Sequence, residues 1–163
     1  MGRDIELLRA QLRHAVAGDP WHGSPVARLL DGLTATQAAA KPIAGAHSIW
    51  ELALHLASWQ GEVAARVGGR VWSIPDDGDW PEVGEVSEAR WSAAREHLET
   101  THARLDAALA ALPEEGLNRR VGSERDPAMG SGVTLREAVL GIVQHHAYHG
   151  GQIALLRRAL GVG

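Results

Sequence analysis

The chain is 163 residues long, has a formal net charge of −4 and contains no cysteine. That length suits one domain with its own core, and the lack of cysteine excludes disulfides, thiolate metal ligands and a nucleophilic thiol. Acidic and basic residues are interspersed without a basic stripe, which argues against nucleic-acid binding.

The sequence also gives no sign of a membrane protein. No stretch is long and apolar enough to predict a membrane span, and the charged N-terminal residues do not form a signal peptide. Alanine, leucine, arginine and glutamate are abundant, which favours helix over sheet. We therefore expect a cytoplasmic, all-α protein whose residues 1–163 form a single domain.

Capping signals and helical spacing predict the elements of the first half of the chain. Apolar residues at helical spacing over residues 5–16 predict a first long helix, which the Gly-Asp-Pro sequence at 18–20 ends. Two short helices should follow, the first opened by Ser24 and Pro25 and the second by a capping box at Thr34. Another capping box, at Ser48, begins a second long helix that ends at two glycines, 68 and 69.

The second half of the chain alternates long connections with long helices. The apolar residues of segment 70–86 follow no regular period, which predicts an ordered loop. Ser87 then begins a third long helix, which Pro113 ends. Residues 114–132 are polar and glycine-rich and predict a second long connection. A capping box at Thr134 then begins a helix that continues to the C-terminus. Four long amphipathic helices predict a four-helix bundle with long connections and short accessory helices.

Three histidines lie close together on the predicted last helix. His145 and His149 are four residues apart and His146 and His149 are three apart, so either pair could share one metal ion on one face of the helix. The apolar stripe of this helix is centred near His149, with His145 on one flank and His146 on the other. Helical period alone therefore does not choose between them.

A further histidine, His55, lies beside the apolar seam of the second long helix. A buried imidazole needs a polar partner, and a metal ion shared with the last helix would supply one. Two histidines from one helix and one from another leave an open coordination position, which is typical of catalytic metal sites. Without thiolate ligands, zinc, nickel, iron, cobalt and manganese all remain candidates for one divalent transition metal.

The blocks HSIWELALHLASW, residues 47–59, and HHAYHGGQIALLRR, residues 145–158, resemble the DinB/YfiT-like superfamily of metal-binding four-helix bundles. The resemblance covers nearly the whole chain and includes Trp21-His22-Gly23. It implies metal ligands at His55, His145 and His149, and so favours His145 over His146. This sequence departs from the family where the residue after the first motif histidine, often acidic in relatives, is His146.

Other residues are candidates for supporting roles near the site. Glu62 and His146 are the candidates for an acid or base at the open coordination position. Glu62 and Arg66 share a helix face with His55, where we expect an ordinary surface ion pair between them. Two loop histidines could approach the site, and two loop tryptophans could cover it. These four residues are His22, His47, Trp72 and Trp80.

The resemblance implies a class of chemistry that the residues alone do not give. Relatives include thiol-dependent S-transferases, a thiol-dependent isomerase and proteins described as metal-dependent hydrolases. We therefore expect a metal ion that activates a low-molecular-weight thiol, or water, for attack on a small electrophilic substrate. The alternatives are a metal-dependent hydrolase and a non-catalytic metal-binding stress-response module. A homodimer is also expected, because relatives often pair.

Overall fold

The computed structural model describes residues 2–126 and 131–162 and shows a predominantly helical fold. Four helices are long, two are short, and a 3₁₀ turn with a two-stranded hairpin precedes the last helix. The elements are α1 (Arg3–Val16), α2 (Val26–Leu30), α3 (Ala35–Ala39), α4 (Ile49–Val67), α5 (Glu88–Ala111), the 3₁₀ helix (Glu114–Asn118), β1 (Arg120–Asp126), β2 (Ser131–Thr134) and α6 (Leu135–Ala159).

Reciprocal capping boxes begin three of these helices, as the sequence predicts. The side chains of Thr34, Ser48 and Thr134 each accept a hydrogen bond from the backbone N–H of the third helical residue. The side chain of that third residue in turn accepts a hydrogen bond from the backbone N–H of the capping residue. Each box satisfies backbone N–H groups that would otherwise lack a partner at a helix start. The start of α2 differs from the prediction, because Pro25 is its N-cap and no side chain caps it.

The long helices α1, α4, α5 and α6 form the four-helix bundle. α4 packs against α5 and α6, and α1 packs against the same two helices from the other side. Buried apolar side chains form two clusters, one where α4 and α5 meet the short helices and one around α1 and the N-terminal half of α6. Within the described part of the chain, no helix combines the length and apolarity needed to cross a bilayer.

The connection between α5 and α6 contains a hairpin that the sequence analysis missed. β1 pairs antiparallel with β2, with Arg120 opposite Thr134, and the register is irregular between Val121 and Asp126. Gly122 has a φ of 74°, and a Cβ there would overlap the ring of Trp72. Trp72 therefore packs against this hairpin and the second apolar cluster instead of covering the histidines.

The loop of residues 70–86 is fixed to α4 by a buried ion pair. The side chains of Glu62 and Arg66 are 0% and 2% exposed, and Arg66 Nε donates to Glu62 Oε1 over 2.8 Å. Glu62 also accepts from Arg70 Nη1 at 2.9 Å and from the backbone N–H of Ser73 at 3.1 Å. The expectation of a surface ion pair was wrong, because the loop folds back over this part of α4 and removes both groups from water.

Candidate metal centre

The middle of the bundle brings together three histidines from α4 and α6. His55 lies in the middle of α4, and His145 and His149 lie one turn apart on α6. His55 and His149 are buried, with 5% and 6% of their surface exposed, and His145 is half-buried. Because α4 and α6 pack directly against each other, side chains 90 residues apart in sequence meet here.

The three imidazoles converge through their ring nitrogens. The Nε2 atoms of His55 and His145 are 2.9 Å apart. The centroid of the His149 ring lies 4.9 Å from that of His55 and 4.4 Å from that of His145. One nitrogen from each ring lies within 4.8 Å of the other two, so the three side chains could hold one metal ion. His146 is not part of this group, so the structure brings together the set that the resemblance implied.

Hydrogen bonds fix the tautomers of two of these histidines. Nδ1 of His55 donates to the backbone carbonyl of Asp79 over 2.6 Å, and Nδ1 of His149 donates to Oε1 of Gln152 over 2.6 Å. Each ring thereby carries its hydrogen on Nδ1 and presents the lone pair of Nε2 to the centre. This arrangement, in which the far nitrogen donates to an oxygen, is usual for histidines that bind metals.

The third histidine lacks such support. Nδ1 of His145 is buried and has no hydrogen-bond partner among the described residues. Burial, followed by the neighbouring His149 and His55, lowers the pKa of His145 to about 3. Burial also lowers the pKa values of His55 and His149. All three imidazoles are therefore neutral at physiological pH, which is the protonation state that a metal ion requires.

The donor set fits a divalent transition metal. Three neutral imidazole nitrogens suit zinc, nickel, cobalt and iron. Manganese fits this set less well, because it prefers oxygen ligands. Three protein ligands leave a coordination position for an exogenous group. The three residues of this group offer only nitrogen ligands, and several transition metals bind such ligands well. Which metal is bound therefore depends on the supply of each metal as well as on its affinity for the site.

The lowered pKa values make folding sensitive to acid. A histidine whose pKa is near 6.5 when unfolded and near 3 when folded gains protons mainly in the unfolded chain between these values. Its contribution to stability is therefore complete above pH 6.5 and is lost as the pH falls. For each fully shifted histidine, we expect the free energy of unfolding to fall by about 1.4 kcal/mol per pH unit.

Urea unfolding of the metal-free protein between about pH 7 and about pH 5 measures this effect. Chelator should be present throughout, so that competition between protons and metal does not contribute. The variant His145→Ala should show a shallower pH dependence than the wild type. A free energy of unfolding that is constant over this range would contradict the proposed burial of neutral imidazoles.

A stack of three rings covers one side of the histidine group. The indole of Trp80 lies between the imidazoles of His47 and His55, at centroid distances of 3.7 Å and 3.8 Å and nearly parallel to both. His55 is 5% exposed, whereas Trp80, which stacks on it, is 38% exposed. The indole therefore lies between His55 and the solvent. Of the two loop tryptophans, Trp80 covers the site, and His47 reaches it only through this ring.

A cavity of about 510 Å³ borders the histidine group. His55 and His145 form part of its wall, together with Trp59 and Asp79. Arg66 and Glu137 are its other charged residues, and the rest of the wall is apolar and comes from α4, the loop, β2 and the first half of α6, through Val63, Ile74, Val133, Ala138, Gly141 and Ile142. This volume and lining are typical of a pocket for a small organic molecule.

The two candidates for an acid or base occupy other positions. Both carboxylate oxygens of Glu62 are engaged by Arg66, Arg70 and Ser73, so this residue organises the loop. His146 is fully buried, its Nδ1 donates to the carbonyl of Ile142, and burial lowers its pKa to about 4. These surroundings favour a structural role for Glu62, and they place His146 in the core, outside the histidine group.

Asp79 is a site residue that the sequence analysis missed. Its backbone carbonyl orients His55, and its carboxylate Oδ1 lies 3.3 Å from His55 Nδ1 and accepts a hydrogen bond from Trp59 Nε1 at 2.7 Å. The side chain is 53% exposed and lines the cavity. The only signal in the sequence is its position directly before Trp80, in a segment without period.

The model of the DinB superfamily matches residues 22–153, which include the histidine group and most of the bundle. A search of the curated proteins found no match.

Proposed function

Because this chain belongs to the DinB superfamily, we propose that it is a metal-dependent transferase that joins a low-molecular-weight thiol to a small, largely apolar electrophile. The observation that carries the proposal is the position of the histidine group at the wall of an apolar cavity. His55 and His145 contribute both to the metal-binding set and to the cavity of about 510 Å³. A molecule in that cavity would therefore lie beside two of the three residues that would hold the metal.

The thiol must come from outside the protein, because the chain contains no cysteine. A metal ion held by the three imidazoles would act as a Lewis acid and lower the pKa of the thiol, so that its thiolate forms near neutral pH. The carboxylate of Asp79 lines the cavity and is half exposed, so it is placed to accept the thiol proton and pass it to solvent.

The electrophile is recognised by shape and apolar contact. The thiolate sulfur forms a bond to the electrophilic carbon, and the leaving group departs with the electron pair of the broken bond. The apolar walls exclude water from this step, which limits the competing hydrolysis. Trp80 holds the ring plane of His55 by stacking and closes the side of the site away from the cavity.

Thiol transfer can be tested with cysteine as the thiol and 1-chloro-2,4-dinitrobenzene as the electrophile. We expect the wild-type protein to accelerate formation of the thioether, and we expect chelator or His145→Ala to abolish the acceleration. Acceleration that survives both treatments would contradict the proposal. Ester hydrolysis that requires the metal but no thiol would instead assign the site to a hydrolase.

The variant Gly141→Leu separates the cavity from the metal centre. Gly141 lines the cavity on α6, and a Cβ at this position meets no atom within 4 Å. Leucine should therefore fit without a clash, stabilise the helix by about 1 kcal/mol and fill part of the cavity. We expect this variant to keep its metal and to transfer the thiol at least about tenfold more slowly. An unchanged rate would show that the electrophile does not bind in this cavity.

A further inference from the structure

A second cavity lies on the opposite side of α6. Its volume is about 620 Å³, and Ala147, Gly151 and Ala154 form its floor along the helix. Ala154 follows His145 by nine residues, which at 100° per residue places the two side chains on opposite faces of α6. His146 and Gly150, which adjoin two of the site histidines in sequence, also line it, but none of the three site histidines does, and the two cavities share no lining residue.

The lining of the second cavity is strongly cationic. Arg28 of α2 and Arg157 and Arg158 of α6 surround it, with His22 and Ser24 on the segment before α2. None of the described residues that line it carries a carboxylate. Three guanidinium groups around one cavity repel each other, and the net charge of −4 on the chain makes this local excess of positive charge unusual.

The three arginines differ in how they are held. Arg157 Nη1 donates to the carbonyls of Leu29 and Asp31, at 2.9 Å each, so this guanidinium is fixed at the edge of the cavity. Arg28 and Arg158 are exposed, and neither has an acidic partner within 4.0 Å among residues 2–126 and 131–162. Their charges remain available to a ligand.

We propose that this cavity binds a small oxyanion, such as the phosphate or carboxylate group of a small molecule. Guanidinium groups bind both kinds of oxyanion through paired, charge-assisted hydrogen bonds. The fixed Arg157 sets the position of the anion, while Arg28 and Arg158 close on it from either side. The hydroxyl of Ser24 supplies a further donor at the rim. The site is independent of the metal centre and of thiol transfer.

Isothermal titration with inorganic phosphate and, separately, with succinate tests this proposal. We expect at least one of the two anions to bind the wild-type protein, and the one that binds identifies the preferred oxyanion. The double variant Arg28→Gln/Arg158→Gln should bind it about tenfold or more weakly, since each charge-assisted hydrogen bond is worth about that factor. The matched control Arg3→Gln/Arg104→Gln removes two exposed arginines elsewhere and should bind like the wild type.

The same titration after dialysis against a chelator separates this cavity from the metal centre. An anion could also occupy the open coordination position, but such binding would disappear with the metal. We expect binding to persist without metal and to depend on Arg28 and Arg158. The proposal is overturned if neither anion binds, if the double variant binds like the wild type, or if removal of the metal abolishes binding.

Discussion

Purified His149→Ala protein is expected to contain almost no divalent metal, whereas the wild type should carry about one equivalent. His149 supplies one of three nitrogens that lie within 4.8 Å of one another, so its loss leaves two ligands from different helices. Changes to groups that only orient metal ligands reduce affinity by about 10- to 100-fold. Loss of a ligand itself should reduce the metal affinity by more than this factor.

Elemental mass spectrometry of protein made without a histidine tag measures this loss. His55→Ala and His145→Ala should behave like His149→Ala, and His14→Ala serves as the control because His14 is exposed on α1. The metal content of Gln152→Ala should lie between that of the ligand variants and that of the control, since Gln152 accepts the hydrogen bond that orients His149. Metal that stays at the wild-type ratio in all three ligand variants would rule out this site.

The second large effect is expected for Glu62→Ala, which should reduce the free energy of unfolding by about 3–5 kcal/mol. Glu62 is fully buried and compensates the buried guanidinium of Arg66. Its removal leaves that charge in the protein interior without its carboxylate partner, and it also releases the loop at Arg70 and Ser73. Both consequences favour the unfolded state.

Urea unfolding in the presence of chelator measures this loss without a contribution from bound metal. Asp31→Ala is the matched control, because it breaks the exposed pair between Asp31 and Arg95 and should cost about 0–1 kcal/mol. If Glu62→Ala and Asp31→Ala cost the same, the burial of the Glu62 ion pair would have no energetic consequence.

Most of the helical fold could be predicted because its signals are local. The capping boxes at Thr34, Ser48 and Thr134 depend on residues three apart, and the structure confirms all three. The hairpin had no such signal. Residues 120–126, RVGSERD, contain one apolar residue and no alternation, so β1 forms by backbone pairing with β2 and by packing around Gly122.

Part of the site could also be predicted from local signals in the sequence. The spacing of His145 and His149 indicated a shared face, but His145 and His146 flank the apolar stripe equally, so the choice between them needed the resemblance. The structure turns His146 into the core and His145 towards His55. Asp79 could not be predicted, because its contact with His55 depends on how the loop returns to α4.

The distance in sequence between His55 and His145 has a thermodynamic consequence for the whole chain. An ion bound by both residues would cross-link α4 to α6 in the folded protein, and because these two ligands lie 90 residues apart, they would seldom meet in the unfolded chain. The ion would therefore bind the folded state preferentially and raise the free energy of unfolding by mass action, by about 4 kcal/mol when the free metal is about 1,000-fold above its Kd. In a protein without cysteine, a bound metal would therefore join distant parts of the chain as disulfides do elsewhere, and starvation for metal would lower the melting temperature as well as the proposed activity.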